Sequence, residues 1–327
     1  MTDMLLIEAV QQALESALSR DERVILIGED IGRLGGLFGA TRGLLGRFGQ
    51  SRIIDAPPGP GSMVGVSIGA ALSGFRPVCE IPFADSIYPA LNQVLNEAAR
   101  IYFRSAGDWQ VPLVLRVPYG GIAGGGLYHS QCVESLFTHT PGLKVVVPSN
   151  PYDAKGLLLT AIADPNPVVF LEPKRGYRLL KGDVPPIDYE VPLGQARISR
   201  RGYDLSLVAY GLMHEFALQA AQMAVAEGIE VEVIDLRTLC PLDLETLLVS
   251  VNKTGKALIV HEDNLTGGFG AEIAALLAER AFQDLDAPVM RLGGPDVPAI
   301  PYSPDLFDWF MPGPDKILEA IRRLARY

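Results

Sequence analysis

The sequence predicts an α/β protein built on two mainly parallel sheets, each a three-layer domain with helices on both faces. Three observations carry that prediction. Short apolar runs alternate with segments of helical periodicity along the chain, the pattern of parallel strands joined by crossover helices. From about Glu172 to Asp204 prolines and charges replace the alternation (EPKRGYRLLKGDVPPIDYEVPLG), and 186–204 reads as a linker over the surface between domains at 1–185 and 205–327. At 327 residues the chain is long for one domain and comfortable for two of roughly 150.

The elements follow in order. Leu6, Val10, Ala13, Leu14, Ala17 and Leu18 fall at helical spacing, and Val24–Ile27 is a buried-strand run. After a Gly-rich loop and Pro57–Gly61 comes a helix of small residues, Met63–Ser73, then strands at Arg76–Ile81, Leu113–Val117 and Lys144–Val147. Asn150 is a good helix cap with Pro151 at the first helical position, and that helix runs to about Ala163. Val168–Leu171 completes the first set of strands. The second set is Leu205–Ala209, Glu230–Asp235, Ala257–His261 and Val289–Arg291. Helices at His214–Ala226, after Asp243, at Gly270–Ala281 and at Pro314–Arg326 separate or follow them.

Composition excludes several functions. Apolar residues make up 48% and charged residues 20% of the chain, so a core is available and wholesale disorder is not expected. The formal charge of −10 is spread along the sequence, which argues against nucleic acid or an anionic membrane as a partner. The longest apolar stretch, near Met63–Phe75, is about a dozen small residues, too short to cross a bilayer. The amino terminus (MTDMLLIEAV) has no basic region followed by an apolar one, so a cytoplasmic location is expected. Cys79, Cys132 and Cys240 are scattered, which excludes a disulfide framework, and four histidines without ligand spacing make a transition-metal site unexpected.

Local motifs alone leave the chemistry open. The clusters Gly28–Gly36 and Gly120–Gly126 match neither the dinucleotide fingerprint nor the P-loop, and tight turns are the commoner use of such loops. His129 is the best single candidate. It follows Gly124–Gly126 beyond a predicted strand, where a doubly wound sheet presents functional groups, and an imidazole there can shuttle protons near neutral pH. A structural histidine bonded to a nearby carbonyl fits the same position. His261 and Glu262 end a strand, and whether they face a channel or are packed stays open.

Longer phrases say more. GED-x-G-x-x-GG-x-F (Gly28–Phe38), EI-x-FAD-x-IYPA (Glu80–Ala90), YHSQ (Tyr128–Gln131) and PGLKVV-x-PS-x-PYDAKGLL (Pro141–Leu158) occur in order. FLEPKR-x-YR (Phe170–Arg178), EVIDLRTL-x-PLD (Glu232–Asp243) and TGGFGAEI (Thr266–Ile273) continue the series. Together they resemble, from about Leu6 to Tyr327, the β subunit of the decarboxylating component of 2-oxo acid dehydrogenase complexes, members of the transketolase-like superfamily. The resemblance implies a pyrimidine-binding domain for thiamine diphosphate followed by a transketolase C-terminal-like domain. It further implies an α subunit that holds the diphosphate through Mg²⁺, a heterotetramer of two α and two β chains, and a lipoyl-bearing acyltransferase as acceptor. This chain lacks the Gly-Asp-Gly and downstream Asn of the α-type metal site. His129 matches the histidine that stands over the thiazolium and assists acyl transfer. Asp164 and Asn166, with main-chain carbonyls near Ala161 and Leu113, match a monovalent-cation loop suited to K⁺, whose oxygen donors fit a hard cation. A simple turn before Pro167 would also account for Asp164 and Asn166.

One position departs from the family at the centre of its chemistry. The family reads roughly Asp-Thr-Pro-Leu-x-Glu-x-x-Ile-Val-Gly, and this chain reads DAPPGPGSMVG from Asp55 to Gly65, so Pro60 stands at the glutamate. In the family that glutamate hydrogen-bonds the pyrimidine and drives deprotonation of the thiazolium. Proline carries neither a side-chain donor or acceptor nor a backbone N–H. Pro58 replaces a leucine that packs on the cofactor, Pro82 a glutamine and Ser86 an aromatic residue. Three readings follow: the β subunit of a working 2-oxo acid dehydrogenase, a paralogue that keeps the assembly without ordinary cofactor activation, or an unrelated nucleotide-binding module.

Overall fold

The computed structural model describes residues 2–327. They form two compact units, the first running up to Tyr119 and resuming at Leu136–Leu193, the second comprising Gly120–Ser135 and Gly194–Tyr327. The stretch 186–204 that the sequence predicts as a linker is divided between them. The loop carrying His129 belongs by its packing to the second unit.

In the first unit the strands lie in the order Lys144–Val146, Val168–Pro173, Val114–Tyr119, Arg76–Glu80, Val24–Gly28 and Ile53–Asp55, every neighbouring pair parallel. They read as continuous apolar runs because helices cover both faces. The helix Leu6–Arg20 buries Leu6, Ala9, Val10, Ala13, Leu14, Ala17 and Leu18 as one stripe and packs on Pro151–Ala163. The latter starts where the sequence predicts, with the Asn150 side chain accepting the Asp153 N–H at 2.9 Å. A strand pair invisible to periodicity, Thr2–Leu5 against Lys181–Val184, runs antiparallel beside them.

The helix expected from Met63 begins three residues earlier and spans Pro60–Leu72. Proline suits the first helical position, where its fixed φ is already helical and its missing N–H would have no partner. The second unit holds a sheet ordered Met290–Gly294, Ala257–Asn264, Leu205–Ala209, Val231–Asp235 and Arg197–Arg200, parallel except for the last strand. Its helices are Leu212–Ala224, Leu244–Thr254 capped by Asp243, Phe269–Arg280 and Pro314–Ala325, with a short helix Pro304–Phe310 that periodicity does not announce. Among the described residues no helix is long and apolar enough to cross a membrane.

Candidate functional site

In a parallel sheet the carboxyl ends of the strands all point the same way, and loops there carry the chemistry. In the first unit that edge is organised by carboxylates of the chain itself. Asp55, ending its strand, accepts the N–H groups of Gly32 at 2.6 Å and Arg33 at 3.2 Å. Glu80, ending the next, accepts the Leu37 N–H at 3.0 Å. The Gly-rich loop therefore gives these amides to Asp55 and Glu80, a use that needs no phosphate. Gly36 is required beside it, because at φ +69° a Cβ there would stand 2.9 Å from Glu80 Oε1.

Beneath the loop lies a buried ion network. Arg116 Nη1 donates to Glu80 Oε2 at 2.6 Å, and its Nε and Nη2 donate to Glu172 at 2.7 and 2.8 Å. The Tyr177 hydroxyl also donates to Glu172. All four side chains are buried. Burial pushes the Glu80 carboxyl up while the Arg116 guanidinium pulls it down. Burial also disfavours the Arg116 charge, yet the Glu172 and Glu80 carboxylates outweigh it and hold that group well above its ordinary value. Desolvation by itself would make such a network costly, so its bidentate geometry decides whether it holds.

The four departures from the family sit on this edge. Pro58 is exposed in the loop after the Asp55 strand, and Pro60 is half-buried at the helix start. Pro82 and Ser86 lie just beyond the Glu80 strand, both half-buried, with the Ser86 N–H bonded to Phe83 O at 2.9 Å. The two segments meet: a Cβ on Gly61 would stand 3.0 Å from the Pro89 carbonyl oxygen. The neighbouring acids are engaged: Asp55 with the loop amides, Glu80 with Arg116, and Asp85 with Lys174 3.8 Å away. Pro60 itself can neither hold nor move a proton. The three prolines at 58, 60 and 82 carry no side-chain donor, acceptor or charge, and so do not fit the proton-handling half of a thiamine pocket.

His129 belongs to the second unit. Its loop is closed at the base by Gly120 N–H donating to Gln131 O at 3.0 Å and braced within by Gly125 N–H to Ile122 O at 2.8 Å. A short 3₁₀ turn, Gly126–Tyr128, precedes the exposed His129. The tip presents Leu127, Tyr128 and His129 outward, whereas Gly120, Gly121, Gly126 and Ser130 are buried. Glu262 accepts the Gly121 N–H. His261 and Glu262 are packed, 0% and 3% exposed, on a strand that runs on to Asn264. Burial pushes the His261 imidazole down to about 4, so it is neutral at physiological pH.

Leu113, Ala161, Asp164 and Asn166 come together at the opposite, amino-terminal edge of the first sheet. Leu113 O accepts the Val168 N–H at 2.9 Å and Ala161 O the Asp164 N–H at 3.3 Å. Lys144 Nζ bonds both Asp164 oxygens at 2.7 and 2.6 Å, and the Asn166 N–H donates to Asp164 at 2.9 Å. Asn166 Oδ1 is buried without a partner. Of these four, only Asn166 offers an oxygen without a partner; the Leu113 and Ala161 carbonyls accept amides, and at Asp164 an ammonium already supplies the charge. Among the described residues no group of three or more His, Cys, Asp or Glu could hold a metal ion.

Comparison with known proteins accounts for both units. Residues 3–179 match the transketolase pyrimidine binding domain and residues 194–317 the transketolase C-terminal domain. The 2-oxoisovalerate dehydrogenase subunit beta of Bacillus subtilis is 50% identical over 327 residues, covering 100% of both chains. The chain belongs to the β-subunit family of the 2-oxo acid dehydrogenases. A pyruvate dehydrogenase E1 component subunit beta, also from Bacillus subtilis, is 41% identical over the whole of both chains. Among solved structures, a chain described as a split-gene transketolase in an inactive β4 tetramer superposes with a TM-score of 0.80, covering 98% of this chain and 97% of that one. At 22% identity it speaks for the fold alone.

As a β subunit of this family, the chain also uses residues that its motifs contain without announcing them. Glu80 and Glu172 lie inside two of the quoted phrases, and only the fold shows that both grip Arg116. Lys144, inside PGLKVV, pairs with Asp164 20 residues on, and Glu262 reaches a glycine amide 141 residues earlier. No period or spacing signals these long-range pairings.

Proposed function

We propose that this chain is the β subunit of a 2-oxo acid dehydrogenase. It works with a separate α subunit, as two α and two β chains, in oxidative decarboxylation with acyl transfer to a lipoyl-bearing acyltransferase. The full-length 50% identity to a protein named 2-oxoisovalerate dehydrogenase subunit beta carries the reading. The substrate is a branched-chain 2-oxo acid or pyruvate, since relatives of both types match over nearly the whole chain. Thiamine diphosphate would be shared with the α chain, which would hold Mg²⁺, and His129 would assist acyl transfer. The exposed tip of its loop supports that role.

Pro60 favours a second reading, in which the chain preserves the assembly without ordinary cofactor activation. One experiment separates the two. The cognate α and β chains are assembled with thiamine diphosphate and Mg²⁺ and assayed for decarboxylation of 2-oxoisovalerate and of pyruvate with an artificial electron acceptor. Turnover by the unmodified complex supports the first reading; a fully assembled but silent complex supports the second. Pro60→Glu would then raise the rate of an impaired complex by up to the ~10²–10⁴ that a general acid–base group contributes.

The same reading places a monovalent cation, K⁺ included, on the carbonyls of Leu113 and Ala161 with Asp164 and Asn166, in competition with the Lys144 ammonium. Lys144→Met is expected to make the melting midpoint rise when K⁺ replaces tetramethylammonium. The unmodified chain should respond less, and equal responses would remove the cation from the reading.

A further inference from the structure

The loop that presents His129 carries a Gly-rich run, GGIAGGG, which by itself has little to hold it in one conformation. Beyond the loop's own backbone bonds, a carboxylate from outside the loop anchors it. Glu262 is 3% exposed. Its Oε1 accepts the Gly121 N–H, a charge-assisted bond of the stronger kind. The fit leaves no room for side chains at the start of the loop. A Cβ on Gly120, at φ +87°, would stand 2.6 Å from Glu262 Oε1, and one on Gly121 would stand 2.9 Å from Phe307 and 3.2 Å from Met311. The next residue of the same strand meets the other end of the loop, with the Ser135 hydroxyl 3.4 Å from Asp263 Oδ2. Consecutive side chains, Glu262 and Asp263, thus reach the two ends of one loop whose tip bears His129.

We propose that Glu262 is the positioning residue of the His129 loop: by accepting the Gly121 amide it fixes where the imidazole is presented. The proposal rests on the reading of His129 as the acyl-transfer histidine and names the group that aims it. Glu262 has no contact with substrate in this role. It acts through a backbone bond that a glutamine can replace and a leucine cannot.

Hydrogen exchange followed by mass spectrometry on the full chain tests this without requiring turnover. Glu262→Leu is expected to speed exchange across 120–131 about tenfold, the factor that one lost hydrogen bond to a charged group corresponds to. Peptides spanning Leu205–Ala209 should be unchanged, and Glu262→Gln should restore protection. If Glu262→Leu does not fold, Gly121→Ala, which pushes the loop away from Phe307, is expected to give the same local increase. Exchange in 120–131 that stays at the unmodified rate in whichever of the two variants folds overturns the proposal.

In the assembled complex Glu262→Leu should lower kcat for acyl transfer to the lipoyl domain at least about tenfold, leave KM for the 2-oxo acid within about twofold, and be rescued by Glu262→Gln. An unchanged kcat overturns the proposal. A silent unmodified complex counts against the proposed function instead, and exchange then decides the role of Glu262 alone.

Discussion

At the scale of single residues, the first effect to expect concerns Glu134, which is buried beside the grip on the His129 loop. Burial, with the Asp263 and Glu262 charges adding to it, pushes the Glu134 carboxyl well above the ordinary carboxylate range. A carboxyl whose folded value is raised stabilises the fold only while protonated. Its contribution is full below the unfolded value near 4.5 and is lost as pH rises toward the folded one. Glu134→Gln keeps an acceptor for the Tyr210 hydroxyl and removes the charge. It is expected to raise the melting midpoint near pH 7.5 by about 2–4 °C, with the gain shrinking as pH falls toward 4.5. A pH-independent difference, measured by scanning calorimetry, would contradict this account.

Residues also show what the sequence could disclose. Asn150 and Asp243 are readable as caps because their partners lie three residues away. Pro60 is readable as a departure because intact flanking phrases fix its register. The grip of Glu262 on Gly121 is not readable, since 141 residues separate them and only folding brings them together.

At the scale of elements, the strand ends of the first unit depend on Arg116. It ties three neighbouring strands together, through Glu80 on one side and Glu172 on the other. Arg116→Met would leave two carboxylates in a dry site with no counter-charge. It is expected to cost about 3–5 kcal/mol of unfolding free energy in urea titration, and Arg116→Met combined with Glu80→Gln and Glu172→Gln should recover much of it. A loss below about 1 kcal/mol would mean that water reaches the network. Because Glu80 also holds the Leu37 amide, the single variant should loosen the Gly-rich loop as well.

That the sheet is mainly parallel was legible from its apolar runs, as were most of the helices, but neither the strand order nor the short strand Ile53–Asp55 was. Thr2–Leu5, Lys181–Val184 and Arg197–Arg200 were not. They are short, partly polar strands whose pairing partners lie far along the chain. Helical periodicity likewise places the Pro60 helix late, because Pro60, Gly61 and Ser62 carry no apolar signal, although proline at the first turn marks the start.

At the scale of the whole molecule, several large apolar side chains stay uncovered. Phe103 is 90% exposed, with Trp109, Val66, Tyr88 and Tyr102 also open to solvent. Exposed aromatic residues of this kind anchor interfaces, consistent with the α subunit proposed above. Phe103→Asp is therefore expected to reduce co-purification of the α chain by at least about tenfold, a loss typical of one interface anchor. The melting midpoint of the isolated β chain should shift by less than about 2 °C, since the side chain supports no core. Undiminished capture of α would show that Phe103 lies outside the contact. Partner choice is the part of function least written in local sequence, because it depends on which side chains the finished fold leaves uncovered.

The excursion at Gly120–Ser135 limits how such proteins can be recombined. A hybrid whose crossover falls at the 193/194 seam would inherit the histidine from one parent and the carboxylate that seats it from another. Compatibility would then turn on a few positions, Glu262, Tyr302, Phe307 and Met311 facing Gly120, Gly121 and Gly126, instead of on overall similarity. On the role proposed for His129, lineages that exchange the two halves should carry those positions together or lose acyl transfer while keeping a sound fold.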